Sequence, residues 1–340
     1  MRACTHCSRH RSVSARTLRR LSGLVLVGLT APLLAPPPLA AVTIDWVAIG
    51  NPGNAADTPS SNCYKATCGS VSYAYQISKY EVTNAQYAEF LNAKAKSDPF
   101  ALYHTSMASL GMTRSGVSGS YSYSVTTGFA DKPVTYVSFY DSLRFSNWLN
   151  NGQGSGDTET GAYTLLGGTA TPSNGTTVTR NAGASIFLTS ENEWYKAAYY
   201  NAVSTSYFDY PTGTNTVTGC VAPGSDTGNS ANCNFAVGAV TNVGAYSLSD
   251  SPYGTYDQGG NVWEWNEQIV SGLNRGLRGG GWNVVAGNLA ASYPVDVNPS
   301  SAGSDIGFRV AMIPEPGTGL LVMTGLLGLA ARRRRSVKAL

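Results

Sequence analysis

Four cysteines lie between residues 42 and 316, and they fall into two close pairs, Cys63 with Cys68 and Cys220 with Cys233. An even count at short spacing reads as two disulfides of an oxidising compartment, each stapling one surface loop. Four residues separate Cys63 from Cys68, not the two of a thioredoxin-like redox pair. Hydrolytic chemistry has less to work with. His104 is the single histidine in this stretch, and neither a Gly-x-Ser-x-Gly elbow nor a Gly-x-x-x-x-Gly-Lys phosphate loop accompanies it. Of the carboxylates Glu191, Glu193, Glu264 and Glu267, the first two stand at a helix start and the other two in or just after a tryptophan-flanked segment, which does not support an acid pair for glycoside hydrolysis. Cys4, His6, Cys7 and His10 imitate metal ligands, but they belong to an arginine-bearing leader that is removed on export.

The elements that must position these groups announce themselves through helix starts. Thr83 with Gln86 and Ser190 with Glu193 are capping boxes, and Ser138 caps a third helix with Asp141 three residues on. Behind each cap come residues for one buried face: Tyr87, Phe90 and Leu91; Phe139, Leu143 and Trp148; Trp194, Ala197 and Ala198. Strand-like stretches run from Ile44 to Ile49, Tyr73 to Ile77 and Ile186 to Leu188. Two stretches rich in Gly, Thr, Ser and Asn, from Asn150 to Ala184 and from Asn201 to Asn232, read as loops or hairpin insertions. The expected class is α+β and loop-rich, with one domain over residues 42–312.

Six segments in order resemble the formylglycine-generating-enzyme/sulfatase-modifying-factor domain, whose fold is a variant of the C-type lectin fold. They are Tyr80 to Tyr87, Pro133 to Ser138, Leu188 to Trp194, Gly260 to Trp265, Arg278 to Trp282 and Gly307 to Arg309, and together they span about Ile44 to Ala311. The resemblance implies a structural calcium at Asn261, Val262 and Glu264, where oxygen ligands without cysteine or histidine suit that ion. The other reading of Glu264 is an acid paired with an arginine or a backbone amide. Arg309 reads as a buried structural arginine paired with an acid such as Glu264 or Asp305. Trp282, behind three glycines, turns inward or lines a groove.

The oxidases of this family hold copper(I) with two cysteines five residues apart, after the glycine-rich turn. Counted without gaps, those positions are Val284 and Leu289 here. Neither side chain ligates a metal or exchanges with a thiol. No catalytic residue is therefore assigned, and neither copper nor iron is expected. The expected function is a non-catalytic, ligand-binding or structural protein of the envelope or exopolysaccharide matrix, with the segment from Asn283 to Ser304 exposed and Trp282, Asn283 and Tyr293 as ligand contacts. The alternative is an oxidoreductase of the same family that modifies a protein or small thiol through another metal site.

Both ends carry addressing signals. Residues 1–41 place six arginines before the apolar run from Leu21 to Ala35 and end in Leu39-Ala40-Ala41, the order of a cleavable signal peptide. At the other end Pro314-Glu315-Pro316 precedes an apolar segment, residues 317–331, closed by Arg332 to Arg335. This ending resembles the PEP-CTERM sorting signal of Gram-negative bacteria, which implies an exosortase-type processing enzyme and transient anchoring in the inner membrane. Arginines at both ends stay on the cytoplasmic side, so the domain between them is exported. Of 23 basic residues, six precede residue 42 and five follow residue 316, leaving 12 against 20 acidic residues. That negative balance excludes nucleic acid as a partner and leaves exopolysaccharide or a surface protein.

Overall fold

The computed structural model describes residues 41–58, 62–270 and 272–314. Residues 1–40 of the expected signal peptide, Glu315 and Pro316 of the sorting motif and the apolar segment 317–331 lie outside the described residues; Ala41 and Pro314 lie inside them. Among the described residues three α-helices and fourteen strands follow in the order β1 (Trp46–Ile49), β2 (Tyr75–Ser78), α1 (Asn84–Lys94), β3 (Met112–Ser115), β4 (Ser122–Val125), α2 (Phe139–Asn150), β5 (Ile186–Leu188) and α3 (Glu191–Tyr199). Four two-residue strands come next, β6 (Tyr200–Asn201), β7 (Ser206–Tyr207), β8 (Gly219–Cys220) and β9 (Ser230–Ala231). The chain closes with β10 (Trp263–Val270), β11 (Asn274–Arg278), β12 (Val295–Val297), β13 (Ile306–Phe308) and β14 (Val310–Met312).

All three expected helix starts form. Thr83, Ser138 and Ser190 each accept a hydrogen bond from the third helical amide, and the side-chain oxygens of Gln86, Asp141 and Glu193 each accept one from the cap residue's amide. Each box thereby satisfies two backbone amides that have no partner inside the helix. The three expected strands also form, as β1, β2 and β5.

Two four-stranded sheets carry the fold, in the orders β1-β2-β14-β5 and β12-β11-β10-β13. The first is antiparallel throughout, with Ala311 of β14 opposite both Ile77 of β2 and Phe187 of β5, so the end of the domain is locked beside its beginning. In the second, β10 and β13 run parallel, with Glu264 opposite Gly307. One residue, Arg309, separates β13 from β14 and is where the chain passes from one sheet to the other.

Rings from α1, α2 and the second sheet fill the core. Phe145 meets Phe90 and Phe308 edge-on at 5.4 Å each, and Phe139 meets Trp265 at 5.9 Å. Each such side chain, fully buried, contributes about 1.5–3 kcal/mol through area removed from water. α2 is buried on every side from Phe139 to Leu149, although it contains Arg144 and Asn147. The polar stretch after it supplies their partners: Arg144 donates to Glu159 at 2.7 Å, and Asn147 donates to the carbonyls of Thr158 and Tyr163. The insertion from Asn150 to Ala184 is thus the cover of the polar side of α2.

Candidate functional site

Glu264 is the second residue of β10, an inner strand of the second sheet, and is fully buried between Trp263 and Trp265. Its Oε2 accepts from Arg309 Nε at 2.6 Å and from Trp194 Nε1 at 2.7 Å, and its Oε1 accepts from Arg309 Nη2 at 2.7 Å. Asn261 is equally committed. Its Oδ1 accepts from the Thr241 amide at 2.9 Å, from Thr241 Oγ1 at 3.2 Å and from Asn232 Nδ2 at 3.2 Å, while its Nδ2 donates to Glu81 Oε1 at 3.0 Å. Val262 packs its side chain against Gly307, where an added Cβ would stand 2.9 Å from Val262 Cγ2. The calcium expected at Asn261, Val262 and Glu264 does not fit this arrangement, because the side-chain oxygens it needs already hold amide, indole and guanidinium donors. Pairing with an arginine is the arrangement found.

Around that pair two further acids are buried. Burial, and then the neighbouring charge of Asp257, pushes the Glu81 carboxyl well above the usual carboxylate range, and Glu81 Oε2 has no hydrogen-bond partner among the described residues. Burial raises Asp257 to about 6. Glu191, Glu193 and Glu267 each meet an arginine. Glu191 pairs with Arg278 at 2.5 Å, and Arg180 bridges Glu193 at 2.7 Å and Glu267 at 2.8 Å. Burial alone would raise the Glu193 carboxyl, but the bonds and charge of Arg180 hold it below its ordinary value. Ion pairs of this kind fix geometry; they leave none of these carboxylates free to act as acid or nucleophile. Among the described residues no three His, Cys, Asp or Glu side chains converge as a metal site requires.

The glycine-rich turn brings together the two positions at which copper thiolates are expected in the family. Gly280 has φ +75°, and a Cβ added there would stand 2.8 Å from Leu289 Cδ1 and 3.3 Å from Val284 Cγ2. Val284 and Leu289 therefore converge over one glycine. They pack in an apolar cluster with Tyr210, Ala231 and the Cys220–Cys233 disulfide, and Leu289 is fully buried. Hydrocarbon and a closed disulfide offer no thiolate, so the residues present do not fit copper(I).

The model of the sulfatase-modifying factor enzyme 1-like domain matches residues 52–313, well over half of the chain. The chain belongs to that family. A PEP-CTERM protein-sorting motif follows at residues 313–335 and marks this family member for processing by an exosortase-type system, with export to the cell envelope or the extracellular space. Among the described residues no helix is long and apolar enough to cross a membrane. The fold is shared with Treponema denticola variable protein 1, at TM-score 0.54 and 21% identity over 81% of this chain and 97% of that one. It is shared likewise with CarF, at TM-score 0.55 and 20% identity over 81% of this chain and all of that one. No curated protein matches the chain. The α+β, loop-rich variant of the C-type lectin fold expected from the motifs is the fold found.

In this member Trp282 is partly buried; its ring meets Phe235 edge-on at 5.4 Å and its Nε1 donates to the Ser304 carbonyl at 3.3 Å. Asn283 donates to Asp305 Oδ2 at 3.0 Å, and its own Oδ1 is buried without a partner among the described residues. Tyr293 is 44% exposed and leans on Trp263, ring centroids 6.4 Å apart. Both expected disulfides form, Cys63–Cys68 and Cys220–Cys233. Two features escaped the sequence. Phe235 and Val285 stand 61% and 57% exposed next to Trp282 and Val284, giving this end an apolar surface. His104 caps a short 3-10 turn (Thr105–Leu110) through its Nδ1 and stacks on Tyr136 at 5.1 Å, beside a cavity of about 200 Å³. That cavity gathers residues from four separate segments, and no spacing rule connects them.

Proposed function

We propose that this is a non-catalytic member of its family, an exported ligand-binding protein of the cell envelope or exopolysaccharide matrix. The packing of Val284 and Leu289 over Gly280 carries the reading: where thiolates would bind metal and exchange with a substrate thiol, two hydrocarbon side chains fill the space. What that end of the molecule offers is surface. Phe235, Val285 and Tyr293 expose apolar area around the partly buried Trp282, a composition suited to holding a partner and unsuited to charge-driven capture.

The test is a binding screen of the full chain against matrix polysaccharides and isolated surface proteins, beside a metal assay. A ligand whose binding is lost in the Phe235→Ala chain supports the reading. Stoichiometric copper or iron in the purified protein would sink it and bring forward the thiol-modifying alternative.

A further inference from the structure

The cavity beside His104 has a construction the proposed surface does not need. Its volume is about 200 Å³, below the roughly 300–1,000 Å³ of clefts that enclose drug-sized molecules. Four rings line it, from Phe100, His104, Tyr136 and Tyr140. His104 and Tyr136 lie nearly parallel, 5° apart with ring centroids 5.1 Å apart, and stack into one two-layered wall whose outer face alone is left for a ligand. The insertion contributes Thr171, whose Oγ1 stands 3.5 Å from Ser300 Oγ at the rim. Ser300 is exposed, so the cavity is open to solvent at this rim.

Two backbone positions in its wall are held where side chains rarely go. Ala101 has φ +53° and Tyr136 has φ +58°. A non-glycine residue held in a sparsely populated backbone region costs on the order of 1–3 kcal/mol and persists where the surroundings impose it. Here the surroundings are visible: the Tyr136 amide donates to the Gly303 carbonyl, and Arg144, stacked 4.4 Å from the centre of Phe100, donates to the carbonyls of Thr169 and Ala170. The wall is built from below by a buried arginine.

The polar groups on the lining are few and specific. Asp141 is 7% exposed; its Oδ2 accepts from the Ser138 amide and hydroxyl, and its Oδ1 takes no hydrogen bond from the described residues. No lysine or arginine lines the cavity, which removes any attraction for an anion. Arg144 already occupies one face of Phe100, so that ring has little left to offer a cation. Flat rings, hydroxyls and one free carboxylate oxygen remain, the complement of a neutral ring with an apolar face and hydroxyl edges.

We infer that this cavity binds one uncharged pyranose ring of a glycan, the ring lying on the His104–Tyr136 wall and a sugar hydroxyl donating to Asp141 Oδ1. The inference rests on the reading of the protein as a ligand-binding one and adds the chemical class. The experiment titrates the full chain calorimetrically with neutral disaccharides and hexasaccharides of glucose and mannose, with trigalacturonate and with choline. Ser300→Trp plugs the cavity and His104→Ala removes half of its wall; both positions are exposed, so thermal midpoints within about two degrees of the wild type show that the fold is kept. A neutral sugar should bind, with affinity at least tenfold lower in Ser300→Trp and several-fold lower in His104→Ala. Neutral-sugar binding that survives Ser300→Trp overturns the inference while leaving the ligand-binding role standing. Binding of trigalacturonate or choline alone overturns it as well. A chain that binds no sugar but captures a surface protein overturns this inference and not the proposed function; one that binds nothing in either screen overturns both.

Discussion

Arg309 and Glu264 meet in a two-pronged ion pair, Nε to Oε2 at 2.6 Å and Nη2 to Oε1 at 2.7 Å, with both side chains fully buried. The pair joins the two sheets. Glu264 lies in β10, Arg309 is the residue between β13 and β14, and its remaining donors reach the carbonyls of Ser78 at the end of β2 and Tyr256. Trp194 on α3 closes the set by donating to the same carboxylate.

Removing one partner leaves the other charged and dry. Glu264→Ala is expected to destabilise the domain by about 3–5 kcal/mol, the range for an orphaned buried charge. Replacing both partners with methionine is expected to recover a large part of that loss. Because both oxygens of Glu264 hold nitrogen donors, a chelator should not imitate the substitution. Urea melts of the three chains with and without chelator measure this; a midpoint for Glu264→Ala that matches the wild type in chelator alone would restore calcium to the site.

Stability should also respond to pH through two buried aspartates. Asp141 and Asp257 titrate near 3.8 when unfolded, and burial raises each to about 6 in the folded chain. The native state therefore keeps protons that the unfolded chain has already released. Their contribution is fully present below about pH 4, declines as pH rises and is gone above about pH 6. Glu193 works in the opposite sense, since Arg180 holds its folded value low and its contribution is lost as the solution becomes strongly acidic. Melts between pH 4.5 and 7 should show a decline that Asp257→Asn makes shallower. An equal slope in the variant would remove Asp257 as a source.

Local chemistry was legible and long-range assembly was not. The three capping boxes are complete within four residues each, so Thr83, Ser138 and Ser190 could be read directly. The pairing of Arg309 with an acid followed from the improbability of burying either charge alone. β10 was hidden because its first four residues, Trp263 to Asn266, are all buried, which erases the alternation that marks a strand facing water on one side. Arg180 was missed although it neutralises two acids, since nothing in a turn-rich insertion distinguishes an arginine that folds inward. The ring-lined cavity draws on Phe100, Tyr136, Thr171 and Ser300, and only the fold brings such distant positions together.

The Cys220–Cys233 disulfide is expected to matter more than the staple of a surface loop would, because Cys233 is fully buried. It closes a 13-residue separation, for which loop-closure entropy gives about 3 kcal/mol, and it packs on Leu289 beneath the exposed apolar end. Cys63–Cys68 closes only five and should contribute less. Replacing Cys220 and Cys233 together by alanine should cost about 2–4 kcal/mol in a urea melt. It should also weaken whatever ligand the Phe235 surface holds. An unchanged midpoint with the bond removed would mean that the apolar cluster holds its shape without it.

The family's oxidation of cysteine to formylglycine should be absent from this member. That chemistry needs two thiolates at fixed spacing to hold copper(I) and exchange with the substrate thiol, and Val284 and Leu289 supply no electron pair. The four described cysteines do not substitute, because both pairs are closed disulfides. Purified chain incubated with copper, oxygen, reductant and a Cys-x-Pro-x-Arg peptide should yield no aldehyde by mass spectrometry. The convergence of the two side chains over Gly280 supplies a sharper arm. If the backbone is still that of a copper site, Val284→Cys with Leu289→Cys should bind copper(I) at one equivalent, where the wild type binds none. Aldehyde formed by the wild type, beyond metal-free controls and abolished by a substitution in this domain, would overturn the assignment of Val284 and Leu289 to the copper positions.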